Sequence, residues 1–183
     1  PVMGARFRPW YVTALLAIPP CLGTTGATEL GLDGAVIASA AAHDVPVQAL
    51  EPYDTVLGLF GSLSGGEEVA LIQSALASEA KSADYTVTMA QAYFAGQSAL
   101  IWQMTRAEAL TTPGTDPAAL AQGFDKVEQR MIIDRNRDWL PVIEQAAAKG
   151  PIVAAFGALH LPGKDGVLNL LAQDGWTITP ITP

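Results

Sequence analysis

The sequence predicts an α/β fold: a largely parallel sheet that carries a helical insertion acting as a cap. Three observations point there. Val45–Leu50 and Pro151–Phe156 are short apolar runs bounded by turn residues, the pattern of strands buried on both faces of a parallel sheet. A helix signal at Gly31–Ala42 leads through a short turn into the first of these runs, which is half of an α/β repeat. Between the two runs lies a long stretch, 54–149, whose periodicity is helical almost throughout.

In chain order, Trp10–Ile18 reads as a short buried helix. Arg6 and Arg8 before it and Pro19-Pro20-Cys21 after it give it the outline of a signal peptide. Pro-Pro is wrong before a lipoprotein cysteine, and the run is too short to span a bilayer. No other segment is a transmembrane candidate. Within Gly31–Ala42, residues Leu32, Val36, Ile37 and Ala40 fall at helical spacing. Asp33 sits in that helix's first turn, where the helix dipole favours an acid, and His43 sits at its end, where the dipole favours a base. Val45–Leu50 then runs as a strand onto Glu51-Pro52, and Pro46 restricts it to a strand start or an edge.

Asp54–Phe60 reads as a short helix. Ser64 with Glu67 is a capping box that opens a helix to about Ala80. Ala83–Phe94 and Gln97–Leu110 form a helical hairpin broken at Gly96. After the loop Thr111–Pro117, Asp116 caps a helix whose first position is Pro117. Gly123–Lys149 is helical with a bend expected near Pro141. The strand Pro151–Phe156, a helix from about Asp165 to Gln173 and a last strand, Trp176–Ile181, complete the chain. No repeat or low-complexity linker divides it, so 1–183 is expected to be one domain with the helical insertion 54–149 inside it.

Composition narrows the function. Of 183 residues, 50% are apolar and 15% charged, enough to build a core and unlike a disordered chain. The net charge of -8, with 10 Lys and Arg, leaves no basic patch for nucleic acid and disfavours an anionic membrane surface. With Cys21 as the one cysteine, no intramolecular disulfide or thiolate cluster can form. Phosphate-binding glycine loops and a serine nucleophile elbow are missing from the sequence.

Two expected strands end on titratable groups: Glu51 after Val45–Leu50, and His160 in the turn after Pro151–Phe156. In an open α/β sheet, ligands sit just beyond the carboxyl ends of the strands. A carboxylate with an imidazole suits zinc, manganese, iron or cobalt, and equally an acid/base pair. Two ligands are fewer than the three a catalytic metal usually takes from protein. Arg135, in Asp134-Arg135-Asn136-Arg137-Asp138-Trp139, could orient Glu51 or hold an oxyanion, or belong to a solvated charged face. His160 could also do no more than hydrogen-bond its own turn.

Four blocks occur in a telling order: Gly31-Leu32-Asp33; Val45-Pro46-Val47-Gln48-Ala49-Leu50-Glu51; Asp134-Arg135-Asn136 with Trp139; and Gly157-Ala158-Leu159-His160-Leu161-Pro162-Gly163-Lys164-Asp165-Gly166-Val167-Leu168. In these the chain resembles the TraB/GumN family over nearly its whole length. That family includes the Tiki metalloproteases and is similar to the erythromycin-esterase/ChaN-like α/β fold. The resemblance implies a divalent-metal hydrolase that cleaves a peptide or amide bond, with two Gly-x-x-His motifs and a glutamate at its site. Gly157-Ala158-Leu159-His160 matches the second motif, Glu51 the glutamate, and Arg135 and Asn136 the family's Arg-Asn pair. The first Gly-x-x-His has no match, since the other histidine stands in Ala40-Ala41-Ala42-His43. In the family pattern that motif precedes the position of Pro1, so the chain is expected to lack the family's N-terminal segment, which would complete the site. His160 and Glu51 are then the expected metal ligands, with manganese, cobalt, zinc or iron as the ion. Glu51, His160 and Arg135 are the expected catalytic residues, with Asn136, Asp33 and Gly157 beside them. The resemblance also implies an exported, periplasmic or secreted protein that takes a peptide or small-molecule ligand. The alternative it leaves open is a non-catalytic protein on the same fold that binds a small ligand or haem.

Overall fold

The computed structural model describes residues 6–16, 31–110 and 116–181. Cys21 and most of the loop 111–117 lie outside them. Nine α-helices account for most of the described chain: α1 Pro9–Leu16, α2 Leu32–Ala42, α3 Thr55–Gly61, α4 Gly65–Ser78, α5 Ser82–Phe94, α6 Ser98–Leu110, α7 Pro117–Glu128, α8 Asp134–Ala147 and α9 Val167–Gln173.

The helix ends follow local chemistry. The Ser64 hydroxyl accepts from the Glu67 backbone N–H at 3.3 Å, and the Glu67 carboxylate accepts from the Ser64 N–H at 2.8 Å, so both halves of the capping box form at the start of α4. Asp116 accepts from the Ala118 N–H at 3.0 Å, with Pro117 at the first position of α7. Gly96, at φ +71°, takes the left-handed conformation that turns α5 back toward α6. Neighbouring helices pack as α1 on α4, α5 on α6, α6 on α7 and α8 on α9. Trp10 stacks on Phe60 at 5.1 Å, and Trp102 meets Phe124 at 4.8 Å. No single described helix is long and apolar enough to cross a membrane. One pair passes that test together, Thr55–Gly61 with Gly65–Phe94, but it bends by 102°.

The expected parallel sheet is corrected by the structure: among the described residues there is no strand. Val45–Leu50, Pro151–Phe156 and Trp176–Ile181 run as irregular chain. The physical reason is partner supply. A strand is stable only when its N–H and C=O groups meet a neighbouring strand, and no backbone ladder joins these three segments. Their apolar side chains are accordingly only partly covered: Val47 is 62% exposed and Val153 84% exposed. The α/β class, with its helical insertion in a sheet, does not hold.

These segments nevertheless end where they matter. The central hydrophobic cluster is Trp139 and Ile143 of α8 with Val167 of α9, and Leu50, Phe156 and Leu171 pack against it. Asn136, Trp139 and Ile143 are the buried residues of α8 and recur at the spacing of one helical face. Leu50 immediately precedes Glu51, and Phe156 precedes Gly157. Packing those two side chains on α8 therefore delivers Glu51 and the His160 turn to the same helix.

The loop between His160 and α9 closes tightly. Gly166 is buried, and a Cβ there would collide with the backbone carbonyls of Leu161 and Pro162. Backbone cannot yield as a flexible side chain does. Gly166→Ala is expected to lower stability by about 1–3 kcal/mol, the usual range for overpacking, read as a drop in thermal unfolding temperature. A melting temperature equal to that of the parent would contradict this close approach.

Candidate active site

The site is built on the first turns of α8. A π-helical stretch, Gln129–Ile133, joins α7 to α8, and such stretches are frequent at functional positions. From this start Arg135 and Trp139 project one turn apart, with Asn136 beside them.

Arg135 makes a two-pronged ion pair with Glu51. Its Nε donates to Oε2 at 3.0 Å and its Nη2 to Oε1 at 2.8 Å. The Trp139 indole N–H donates to the same Oε2 at 3.0 Å. The two charged side chains are 16% and 21% exposed, so the pair is shielded but reachable from solvent. The guanidinium also lies over the Trp139 ring, at 4.8 Å from its centroid. Its Nη1 donates to the Met131 carbonyl at 3.0 Å and stands 3.5 Å from His160 Nε2.

His160 ends a short 3₁₀ turn, Ala158–His160, and is 6% exposed. Its ring lies against Trp139, with centroids 4.5 Å apart, and edge-on to Phe156. Its Nδ1 is 2.6 Å from Asn136 Oδ1. Asn136, fully buried, also donates from Nδ2 to the carbonyls of Asp165 at 2.8 Å and His160 at 3.3 Å. Arg137 pairs with the Asp165 carboxylate at 2.9 Å and anchors the outer side of the same loop.

This environment sets the charges. The hydrogen bond from Arg135 holds the Glu51 carboxyl below the usual range; burial opposes that, and the Trp139 N–H and the guanidinium charge reinforce it. Burial pushes the His160 imidazole down from 6.5 to about 4, the Arg135 charge pushes the same way, and Glu51 opposes both. At neutral pH the cluster is an ionised Glu–Arg pair beside a neutral imidazole.

The structure brings Glu51, Arg135, Asn136 and His160 together in one cluster. Gly157 starts the His160 turn at φ -56°, a conformation open to any residue, and a Cβ there would only touch the imidazole Cδ2 at 3.7 Å. Asp33 does not join the cluster; it is exposed in the first turn of α2, with no hydrogen bond or ion pair among the described residues. His43 is exposed at the end of α2, where its Nδ1 pairs with the Ser39 carbonyl at 2.8 Å. Trp139, which the sequence places in the third block without a role of its own, joins the cluster as well. Its place four residues after Arg135, with an indole N–H that needs a partner when buried, was the available signal.

The TraB/PrgY/gumN family model matches residues 1–180. The chain belongs to the TraB/PrgY/gumN family. No curated protein and no solved structure gives a significant match.

The metal that the TraB/PrgY/gumN resemblance implies does not fit the donors in place. Among the described residues no group of three or more His, Cys, Asp or Glu side chains could hold an ion. Both Glu51 oxygens are taken by Arg135 and Trp139, and the guanidinium stands beside His160 Nε2. A dication there would meet a fixed positive charge and a single imidazole lone pair.

The sign of the pH effect is the same for both groups. His160 binds its proton more weakly folded than unfolded, so its contribution to stability is full above about pH 6.5 and is lost as pH falls toward 4. Glu51, also lowered, contributes above its unfolded pKa and loses that contribution as pH falls through its folded one. Denaturant titrations should show a constant midpoint above pH 7 and a falling one between pH 6.5 and 4. His160→Gln should flatten that limb, and an unchanged slope in this variant would contradict the assignment.

Proposed function

We propose that this family member is a hydrolase of peptide or amide bonds in which His160 is the general base and Arg135 the oxyanion partner. The observation that carries the reading is one arrangement: a neutral, nearly buried imidazole with its Nε2 3.5 Å from a guanidinium that Glu51 locks in place.

The chemistry balances with these groups alone. A water replaces the long 3.5 Å contact between Arg135 and His160 Nε2, the imidazole takes its proton, the resulting hydroxide attacks the substrate carbonyl, and the carbonyl π electrons move onto oxygen. Arg135 has five N–H donors. Four serve Glu51, Met131 and His160, and one on Nη2 has no partner among the described residues. That N–H, with the fixed charge behind it, suits a developing oxyanion. Collapse of the tetrahedral intermediate breaks the C–N bond, and the imidazolium returns its proton to the leaving nitrogen. Glu51 positions the guanidinium and balances its charge. Trp139 keeps the carboxylate from swinging free.

A second reading keeps the protein as a small-ligand binder. It draws on a cavity of ≈ 320 Å³ next to the His160 turn, lined by Trp102, Glu128, Ile132, Leu159 and Pro162 among others. That volume is at the low end for small-molecule sites.

The test is a mass-spectrometric screen of a blocked peptide mixture with the parent chain, His160→Ala and Arg135→Lys. Loss of about 10²–10⁴-fold in rate is expected for His160→Ala, the usual worth of general-base catalysis. Arg135→Lys keeps the charge but loses the fork that grips Glu51, so it should also fall sharply. The acid limb of the pH–rate profile should lie near pH 4 rather than near 6.5. No cleavage by the parent at any pH between 5 and 9, with or without added manganese, cobalt, zinc or iron, would overturn the reading and favour the binder. Cleavage only with an added metal that His160→Ala no longer binds would restore the metal-dependent form.

A further inference from the structure

We infer that Asn136 is a positioning residue that locks His160 in the Nδ1–H tautomer and leaves its Nε2 lone pair directed toward the Arg135 guanidinium. Two independent sets of contacts lead to this.

The first set fixes the orientation of the Asn136 amide. One end of it faces two backbone carbonyls, Asp165 O at 2.8 Å and His160 O at 3.3 Å. Carbonyl oxygens only accept, so the end that faces them must be the NH₂. The reversed amide would place its oxygen against both carbonyls in a buried site. The other end, Oδ1, therefore meets His160 Nδ1 at 2.6 Å. An amide oxygen only accepts, so Nδ1 must carry the hydrogen.

The second set fixes the other nitrogen. The group nearest His160 Nε2 is Arg135 Nη1, at 3.5 Å. A guanidinium remains protonated and can only donate. A hydrogen on Nε2 would point at another N–H, whereas a lone pair there is attracted. Both ring nitrogens thus call for the same tautomer, and the bond made by one nitrogen determines the state of the other.

The tautomer rests on hydrogen-bond geometry alone; only its use, a basic Nε2 at the reacting position, rests on the hydrolase reading. Asn136 also ties the His160 carbonyl and the Asp165 carbonyl to α8, so the ring's tautomer and the loop's position depend on one side chain. This gives the buried asparagine of the Arg135-Asn136 pair a task that neither a solvated helix face nor a packing role explains.

The experiment reads the tautomer directly and needs no substrate. The chain has two histidines, so His43→Gln leaves His160 as the single imidazole. Two-bond ¹H–¹⁵N correlation on ¹⁵N-histidine-labelled protein at pH 7.5 distinguishes a protonated Nδ1 from a protonated Nε2. A single Nδ1–H species is expected. An Nε2–H species or an even mixture would overturn the inference, whatever the peptide screen returns. Asn136→Ala should then shift His160 from pure Nδ1–H to a mixture, with Arg135 alone still opposing Nε2–H, and retention of pure Nδ1–H in the folded variant would overturn the role of Asn136. Should alanine fail to fold, Asn136→Ser supplies a hydroxyl that can accept from Nδ1 and donate to a carbonyl. It is expected to restore the Nδ1–H signature, and a pure Nε2–H signal there would count against the inference. Cleavage activity without this tautomer would leave the hydrolase reading standing and remove only the inference about Asn136.

Discussion

The two-pronged ion pair between Arg135 and Glu51 is the constraint on which the site depends. It joins residues 84 positions apart in the chain, and it joins an irregular segment to a helix. Residues 45–50 have no ladder of their own, so what holds their end in place is Leu50 against the Trp139 cluster and Glu51 in the guanidinium fork. Pairs this shielded contribute less to net stability than their geometry implies, because both charges give up water. Breaking one partner is a different matter, since it leaves the other charged and poorly solvated. The pair therefore acts more as a determinant of position than as a source of stability.

Trp139 and Asn136 extend that determination to the imidazole. Trp139 serves three neighbours at once: its N–H holds Glu51, its face receives Arg135, and its ring backs His160. Asn136 saturates its polar atoms on the loop that carries His160, which is how a fully buried amide avoids the cost of unpaired groups. Both lie on the buried face of α8 with Ile143. The helix that packs the core is thus the same helix that holds the cluster, and the cluster's geometry is tied to core packing rather than to surface loops.

The readability of the sequence divides along the range of the interactions involved. Ser64 with Glu67 and Asp116 with Pro117 are complete signals within four residues, and the helices they open are where the sequence puts them. The runs Val45–Leu50 and Pro151–Phe156 carry a strand's composition, but a strand is made by its neighbour. Composition does not reveal whether that neighbour is present, and among the described residues it is not. The ends of the runs were legible all the same, because Glu51 and His160 stood out by type and by their resemblance to family motifs. What no local pattern could show was the contribution of main chain. The carbonyls of Met131, His160 and Asp165 bind Arg135 and Asn136, and a carbonyl's role leaves no trace in residue identity. Asp33 is the converse case: an acid in a first helical turn satisfies the helix dipole wherever the helix lies, and here it lies apart from the cluster.

Charge balance connects these geometrical facts to chemistry. Glu51 and Arg135 cancel, and the imidazole beside them is neutral at pH 7, so the cluster carries no net charge. A proton on His160 would add a second cation next to Arg135 in a place that burial already makes unfavourable for charge. The same argument applies to a dication, more strongly. To bind one here, Glu51 would have to release the guanidinium, and Arg135 would have to move or be offset by a further anion. On the hydrolase reading proposed above, a neutral cluster with one lone pair and one spare N–H suits a reaction whose charges appear in pairs, as an imidazolium and an oxyanion, and vanish together when the tetrahedral intermediate collapses.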